Sequence, residues 1–171
     1  VDDNGVITAD DRIIYSQRPD VTFGFNNTFN YKGFDLSVFL YARLGQWIAY
    51  DYNTTYRINA LENGGNVDYW TPENPTNAFP RPNKSKSYTQ VTYYSTLKYE
   101  DGSFFKIRDI TLGYTFKPEL LKHLNLSRLR VYATAKNFFT FSKIDNYDPE
   151  QGGSISFPMT KQLVFGLNVE F

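Results

Sequence analysis

The sequence of 171 residues contains no cysteine, one histidine and one methionine. Without cysteine, this chain has no disulfide framework, thiolate nucleophile or cysteine-bound metal. Its 18 basic and 18 acidic side chains leave no net charge, which gives no support for nucleic-acid binding because that needs a basic surface. No apolar run reaches the roughly 18 residues that a membrane-spanning helix requires, and no targeting segment is visible.

Catalytic groups are also scarce. The single histidine, His123, follows Pro118 in a segment that predicts one or two helical turns, and a basic side chain near a helix C-terminus is an ordinary surface residue. The serines have no neighbouring base in a recognisable motif. The acidic residues show no spacing typical of a glycosidase. We therefore predict that the chain has no enzymatic activity.

Aromatic residues, in contrast, are abundant. Fifteen phenylalanines, fourteen tyrosines and two tryptophans make up 18% of the chain, while the mean hydropathy is negative. Alternating strands give this combination, since every second residue is apolar and the others are polar. Membrane barrels add girdles of aromatic residues at both interfaces.

A period of two begins at Val21 and predicts about five antiparallel strands. The first two, at about 20–31 and 34–45, are joined by the tight turn at 32–33. The other three are predicted at 103–116, 128–141 and 161–171. Strands of about eleven residues suit a tilted passage through a membrane, whereas soluble strands usually have about five or six residues.

The third predicted strand mixes apolar and charged residues on one face. Strict alternation groups Phe104, Lys106 and Arg108 with Ile110 and Leu112. Because charged side chains are unfavourable against hydrocarbon, we expect the start of this strand to lie above the hydrocarbon core.

Two long connections, at 46–102 and 142–160, contrast with short ones at 32–33 and 117–127. The first long connection contains prolines that would interrupt a sheet ladder, and a loop of that size is uncommon in a compact soluble domain. Outer-membrane barrels have short periplasmic turns and longer extracellular loops. This pattern predicts extracellular loops at the two long connections and a C-terminus at the periplasmic rim.

Five strands cannot close, since single-chain barrels have at least about eight, and an open sheet would leave unpaired edges in lipid. Since the chain also begins at Val1, we interpret residues 1–171 as the C-terminal fragment of an all-β transmembrane barrel. Two alternatives remain open. A soluble β-sandwich carbohydrate-binding module would dissolve without detergent, and a passive structural outer-membrane barrel would have no plug domain upstream.

Six motifs occur in an order that resembles a known family. They are YKGFDLS at 31–37, YWTPENPT at 69–76, DGSFFKIRDITLGY at 101–114, KNFFTF at 136–141, DPE at 148–150 and FGLNVEF at 165–171. Each motif alone is weak, but together they are similar to the C-terminal end of SusC/RagA-type TonB-linked (TonB-dependent) outer-membrane transporters. The resemblance covers nearly the whole chain.

The resemblance implies a 22-stranded barrel with a plug domain in its lumen, and barrels of that size carry a plug. It also implies a SusD-like surface lipoprotein as partner, oligosaccharides or peptides as cargo, and energy from the TonB complex. The plug and the TonB-contacting segment are N-terminal in the family, so this chain lacks both. Charges on the polar faces, such as Arg43, Arg130 and Lys136, are expected to solvate the lumen or pair with the plug.

Three aromatic residues of the first long loop are candidate binding residues. Tyr69, Trp70 and Phe79 have flat rings that can stack on sugar faces or bury against a lipoprotein lid, since aromatic residues dominate interface anchors.

Three other aromatic residues are predicted to anchor the barrel in the membrane. Trp47 and Tyr50 follow the outer end of a strand, and Phe171 ends the chain on the apolar face of the last strand. Girdles of this kind mark both membrane interfaces of outer-membrane barrels, and the lipid of the outer membrane is the expected neighbour.

The acidic N-terminal segment contains a partial calcium-loop pattern. Asp2, Asn4 and Asp11 fit positions 3, 5 and 12 of such a loop, with Gly5 and Ile7 at positions 6 and 8. Position 1 would precede Val1, and position 12 is Asp rather than Glu. We weigh a weak structural Ca²⁺ site on the outer surface against an ordinary solvated acidic turn, and expect no other cofactor.

Overall fold

The structure, a computed structural model, describes residues 4–6, 8–54, 65–84 and 94–171. Its main feature is one antiparallel sheet of five long strands in the order β1-β2-β5-β6-β7. These strands are β1 (Val21–Tyr31), β2 (Phe34–Leu44), β5 (Phe104–Thr115), β6 (Arg128–Ser142) and β7 (Gln162–Glu170). The prediction of an all-β chain with five antiparallel strands is confirmed.

The β1–β2 hairpin is set by its two-residue turn. Lys32 and Gly33 both have positive φ, 48° and 90°, as a type I′ turn requires. The turn also contacts the end of β5, where the N–H of Thr115 donates to the carbonyl of Gly33 at 2.7 Å. This geometry fixes the register that pairs Tyr31 with Phe34.

A bulge in β5 reverses the alternation that the sequence suggested. Arg108 has no cross-strand partner, because the register with β2 shifts between Ile107 and Asp109. An extra residue moves every side chain on one side of it to the other face. Lys106 therefore pairs with Tyr41 on the polar face, which corrects the expectation that it shares a face with Ile110.

Strand β6 has the matching irregularity. Between Lys136 and Phe139 it carries two residues that have no partner in β5, Asn137 and Phe138. Asn137 adopts a positive φ of 58° and its side chain donates to the carbonyl of Thr160 at 3.1 Å. The two irregularities together bend the sheet at one level.

One face of the sheet exposes large apolar side chains. Those of β7 and the C-terminus are between 41% and 93% exposed: Leu163, Phe165, Leu167, Val169 and Phe171. Among the described residues, no second sheet or helix layer covers this stripe. A contiguous exposed apolar face is unusual for a self-contained soluble domain, and it fits a wall that contacts lipid.

The first long loop carries secondary structure of its own. Strands β3 (Trp47–Ala49) and β4 (Tyr99–Asp101) pair as a short antiparallel ribbon. Helices α1 (Asp51–Thr54) and α2 (Tyr94–Leu97) each make one turn next to these strands, and we call residues 47–54 and 94–101 together the ribbon.

The remaining helical turns are short. Helix α3 (Pro118–Leu121) continues into a 3-10 turn at Lys122–Leu124, as the proline and the pattern predict, and other 3-10 turns occur at Ala9–Asp11 and Pro149–Gln151. Within the described segments, no helix has both the length and the apolar character to cross a membrane.

The loops pack around a small hydrophobic cluster outside the sheet. Ile48, Tyr50 and Ile144 are at most 8% exposed, and partly buried side chains pack against them. Those side chains are Tyr52, Tyr147 and Ile155. The described parts of the two long connections therefore pack against each other in this cluster.

Candidate functional site: the polar face of the wall and the outer loops

The polar face is held together by an ion pair that crosses a strand. Arg130 of β6 donates to Asp35 of β2 through two bonds, Nε to Oδ1 at 2.9 Å and Nη2 to Oδ2 at 2.5 Å. The strand between them, β5, passes beneath at Gly113, where an added Cβ would collide with both charged groups. Glycine at this position therefore permits a fork-like bidentate pair.

Aromatic and hydroxyl contacts continue this network to the edge of the sheet. The guanidinium of Arg130 lies 4.9 Å from the ring centre of Tyr132, and that ring covers Gly166 of β7. One row lower, the hydroxyls of Thr111 and Thr134 are 2.8 Å apart. The polar face thus links four strands through side chains as well as through the backbone.

An open groove of about 490 Å³ lies at the hairpin end of the polar face. Four of its ten lining residues are charged: Lys32, Asp35, Arg128 and Arg130.

The most enclosed charge on the polar face is Lys106. Its side chain has no exposed area, and its ammonium lies 2.7 Å from Asp148 Oδ2 and 2.8 Å from Glu150 Oε2. Arg108 adds a third ion pair, with Nη1 at 3.1 Å from Glu150 Oε1. We call Lys106, Asp148 and Glu150 the loop anchor, because they fix the second long loop to β5.

A short turn positions Asp148 and Glu150, the two carboxylates of the loop anchor. Asp148 caps the 3-10 turn Pro149–Gln151 by accepting from the N–H of Glu150 at 3.0 Å. Pro149 is fully buried. A rigid turn therefore presents both carboxylates to the same ammonium. Sequence reasoning missed this site because it placed Lys106 on the opposite face; the DPE motif was the only local signal.

The second long loop also supports the ribbon of the first. The carbonyl of Gly153 accepts from the N–H of Asp51 at 3.0 Å. Gly153 has a φ of 94°, and an added Cβ would collide with the backbone of Ala49. Only glycine satisfies both the conformation and the close approach.

The candidate binding residues Tyr69, Trp70 and Phe79 lie together. Tyr69 and Phe79 form an isolated parallel bridge, and the N–H of Trp70 donates to the carbonyl of Phe79 at 2.9 Å. Tyr69 and Trp70 are 41% and 37% exposed, whereas Phe79 is buried and packs with Val67 and Leu97. Two rings are thus available to a partner, and the third supports them.

The turn behind these rings is organised by one carboxylate. Asp68 accepts from Asn74 Nδ2 and from the hydroxyl of Thr76, both at 2.7 Å. These bonds, with that of Thr76 contributing most, lower the pKa of Asp68. Thr71 and Asn74 exchange backbone hydrogen bonds at 3.1 Å. We call residues 65–81 the aromatic lobe.

The three predicted girdle residues occupy different positions. Phe171 is 93% exposed at the end of the apolar face, and Trp47 is 36% exposed with Tyr15 packed 4.6 Å from its ring centre. Tyr50 is 4% exposed inside the loop cluster, and burial raises its pKa to about 12. Its position does not support a girdle role, whereas for Trp47 and Phe171 that role stays a prediction.

The calcium prediction also remains open. Asp2 lies outside the described residues, while the side chains of Asn4 and Asp11 accept from nearby backbone N–H groups at 2.7 and 2.9 Å. In the part of the chain that the structure describes, no group of three or more acidic or histidine side chains is arranged to hold a metal ion. The Ca²⁺ site stays a prediction, because its candidate ligand Asp2 is not among the described residues.

Relatives of known type match almost the whole chain. TonB-dependent receptor P3 of Formosa agariphila is 30% identical over 194 residues, which cover 100% of this chain and 18% of that receptor. TonB-dependent receptor SusC of Bacteroides thetaiotaomicron is 30% identical over 177 residues, 98% of this chain and 17% of SusC. The RagAB peptide importer in its closed-closed state matches with a TM-score of 0.76 and 28% identity, over 97% of this chain and 19% of the matched one. This chain is homologous to the C-terminal part of SusC/RagA-type TonB-dependent receptors.

The five-stranded sheet matches the barrel portion of TonB-dependent receptors. No protein-family model matches the chain. TonB-dependent receptors are outer-membrane proteins, and the named relatives are receptors and an importer rather than enzymes. The chain spans less than a fifth of the length of each relative described above.

Proposed function

We propose that this chain is part of the wall of an outer-membrane active transporter, which takes up oligosaccharides or peptides with energy from the TonB complex. The observation that carries the proposal is a sheet with one exposed apolar face and one polar, ion-paired face, matched over its whole length by receptor barrels. The remaining strands and the plug come from the rest of the protein. A soluble sandwich would need a second layer over the apolar stripe.

The proposal includes a SusD-like surface lipoprotein that docks on the outer loops. SusC and the RagAB peptide importer are among the related proteins. The exposed rings of Tyr69 and Trp70, held by the buried Phe79, have the character of an interface anchor. We place these loops outside the cell and the C-terminus at the periplasmic rim, because long connections of outer-membrane barrels are extracellular.

The test uses the whole transporter, extracted from outer membranes in detergent through an affinity tag. We expect a lipoprotein to co-purify with it, and uptake of an oligosaccharide or peptide mixture to require TonB. Trp70→Ala should weaken lipoprotein docking about tenfold or more, as expected for an aromatic anchor. The measurement is the dissociation constant between the purified transporter and the purified lipoprotein.

Leu120→Ala is the matched control for this experiment. Leu120 is 61% exposed in the short connection after β5, so it is an equally available apolar residue at the opposite end of the wall. Docking should be unchanged in this variant. If docking instead depends on Leu120 and not on Trp70, the orientation is reversed. A passive barrel would be indicated by TonB-independent uptake and the absence of any lipoprotein.

A further inference from the structure

A continuous series of contacts leads from the wall to the aromatic lobe, and it begins at the loop anchor. The ammonium of Lys106 is fully buried against Asp148 and Glu150. A buried charge is tolerated only when it is paired, and removal of one partner leaves the others buried without compensation. Loss of Lys106 would therefore release the turn at 148–150 from β5.

The second step joins the released turn to the ribbon. Gly152 and Gly153 follow that turn directly, and the carbonyl of Gly153 accepts from the N–H of Asp51. On the other side of the ribbon, the N–H of Tyr50 donates to the carbonyl of Lys98 at 2.7 Å. The cluster around Tyr50 and Ile144 fills the space between the two loops.

The third step joins the ribbon to the aromatic lobe. The hydroxyl of Tyr52 accepts from the N–H of Asn66 at 3.0 Å. Asn53 is buried, and its side chain donates to the carbonyl of Leu97 at 3.1 Å. Leu97 in turn packs against Phe79. The first link therefore ends within the aromatic lobe at Asn66, and the second ends at Phe79, which supports the exposed rings.

We propose that Lys106 is a positioning residue for the aromatic lobe, through its ion pairs with Asp148 and Glu150 of the second long loop. It holds the second long loop on the wall, the loop supports the ribbon, and the ribbon holds the lobe. Such coupling requires a contiguous set of packed and hydrogen-bonded groups. The positioning role of Lys106 is independent of the proposed function. The effect of Lys106 on lipoprotein docking rests on the proposed function.

The test is hydrogen exchange of the whole transporter, without lipoprotein, in detergent or nanodiscs. Lys106→Met should accelerate exchange about tenfold in 144–153 and in 65–81, because local opening becomes easier. Exchange in the β1–β2 and β6–β7 ladders should not change. Lys106→Arg keeps the charge and should restore most of the protection. Lys136→Met is the matched control, since Lys136 lies on the same polar face, half exposed and 3.8 Å from Asp109.

A second variant separates the steps. Tyr52→Phe removes the hydroxyl that joins the ribbon to Asn66 and leaves the loop anchor intact, so only 65–81 should loosen. The double variant with Lys106→Met should loosen 65–81 no more than Lys106→Met alone, since both act on one series of contacts. Glu150→Gln should give a weaker form of the Lys106→Met result, and it replaces that variant if Lys106→Met does not assemble.

The proposal is overturned if 144–153 loosens while 65–81 exchanges as in the wild type, or if Lys136→Met has the same effect as Lys106→Met. Lipoprotein affinity is then measured on the same variants. An accelerated lobe with unchanged affinity would leave the positioning role in place and count against the docking part of the proposed function.

Discussion

The wall and the outer loops place the same kinds of side chain in opposite environments. In β7, Phe165 and Leu167 are 77% and 70% exposed, whereas Ile48 and Tyr50 of the loop region are each 4% exposed. A charged residue of the wall can be as buried as the apolar residues of the loops: the Lys106 side chain of β5 has no exposed area where the second long loop packs on the sheet. In a receptor barrel the apolar face has lipid as its solvent, while loops in water must build a core of their own.

The exposed fraction of a side chain alone therefore does not show whether a position tolerates substitution. In the transporter that we propose, an exposed apolar residue in the wall contacts lipid, and one in the loops contacts water. The two regions should therefore respond differently to the same substitution, even where the exposed fractions agree.

The largest effect is expected from a charge on the apolar face. Leu167→Arg places a guanidinium in the middle of β7, and a charged residue near the bilayer midplane costs about 2–4 kcal/mol in such barrels. Phe157→Arg in the second long loop is the control, because Phe157 is 79% exposed and should change stability by less than about 0.5 kcal/mol. Urea unfolding of the whole transporter in liposomes measures both. Equal effects would contradict a lipid-facing stripe.

An intermediate and local effect is expected in the loops. Gly153→Ala combines a left-handed φ with a collision against Ala49, and backbone strain of this kind costs about 1–3 kcal/mol. Gly152→Ala is the matched control, with a φ of 68° and open space for a Cβ, and should have a smaller effect. Hydrogen exchange of residues 47–53 reports the change. Faster exchange across the wall as well would show that the two regions unfold together.

The wall could be predicted from the sequence to a large extent, because its strands keep a period of two outside the irregularities of β5 and β6. Leu163 to Phe171 alternate without interruption, and the structure keeps this alternation. The bulge at Arg108 could not be predicted, since no local feature of the sequence marks which residue loses its partner. That one residue decided the position of Lys106, and with it the whole loop anchor.

The loop region was the least predictable part, because its contacts join distant segments. Lys106 and Asp148 are 42 residues apart, and Tyr50 packs with Ile144 across a longer separation. A short-range pattern holds no information about such pairs. The proximity of Tyr69 and Phe79 was likewise not derivable from the sequence, and the binding role of this segment stays a prediction.

The smallest effect is expected when the pH is lowered, because Asp101 should then stabilise the loop region less while the wall is unchanged. Asp101 of β4 accepts from the N–H of Ser103 and lies 3.0 Å from the ammonium of Lys143. The hydrogen bond from the Ser103 side chain lowers the pKa of Asp101 below its ordinary value near 3.8; partial burial opposes this shift, and the N–H of Ser103 and the ammonium of Lys143 add to it. A lowered pKa means that the stabilisation is complete above that ordinary value and is lost as the pH falls through the lowered one.

Because Asp101 is partly exposed, its contribution is below about 1 kcal/mol. Exchange of residues 98–103, corrected for the intrinsic effect of pH, should therefore rise a few-fold below about pH 4 while the wall ladders stay protected. Asp101→Asn should remove this response, and an equal acid response in that variant would assign it to other carboxylates of the loops.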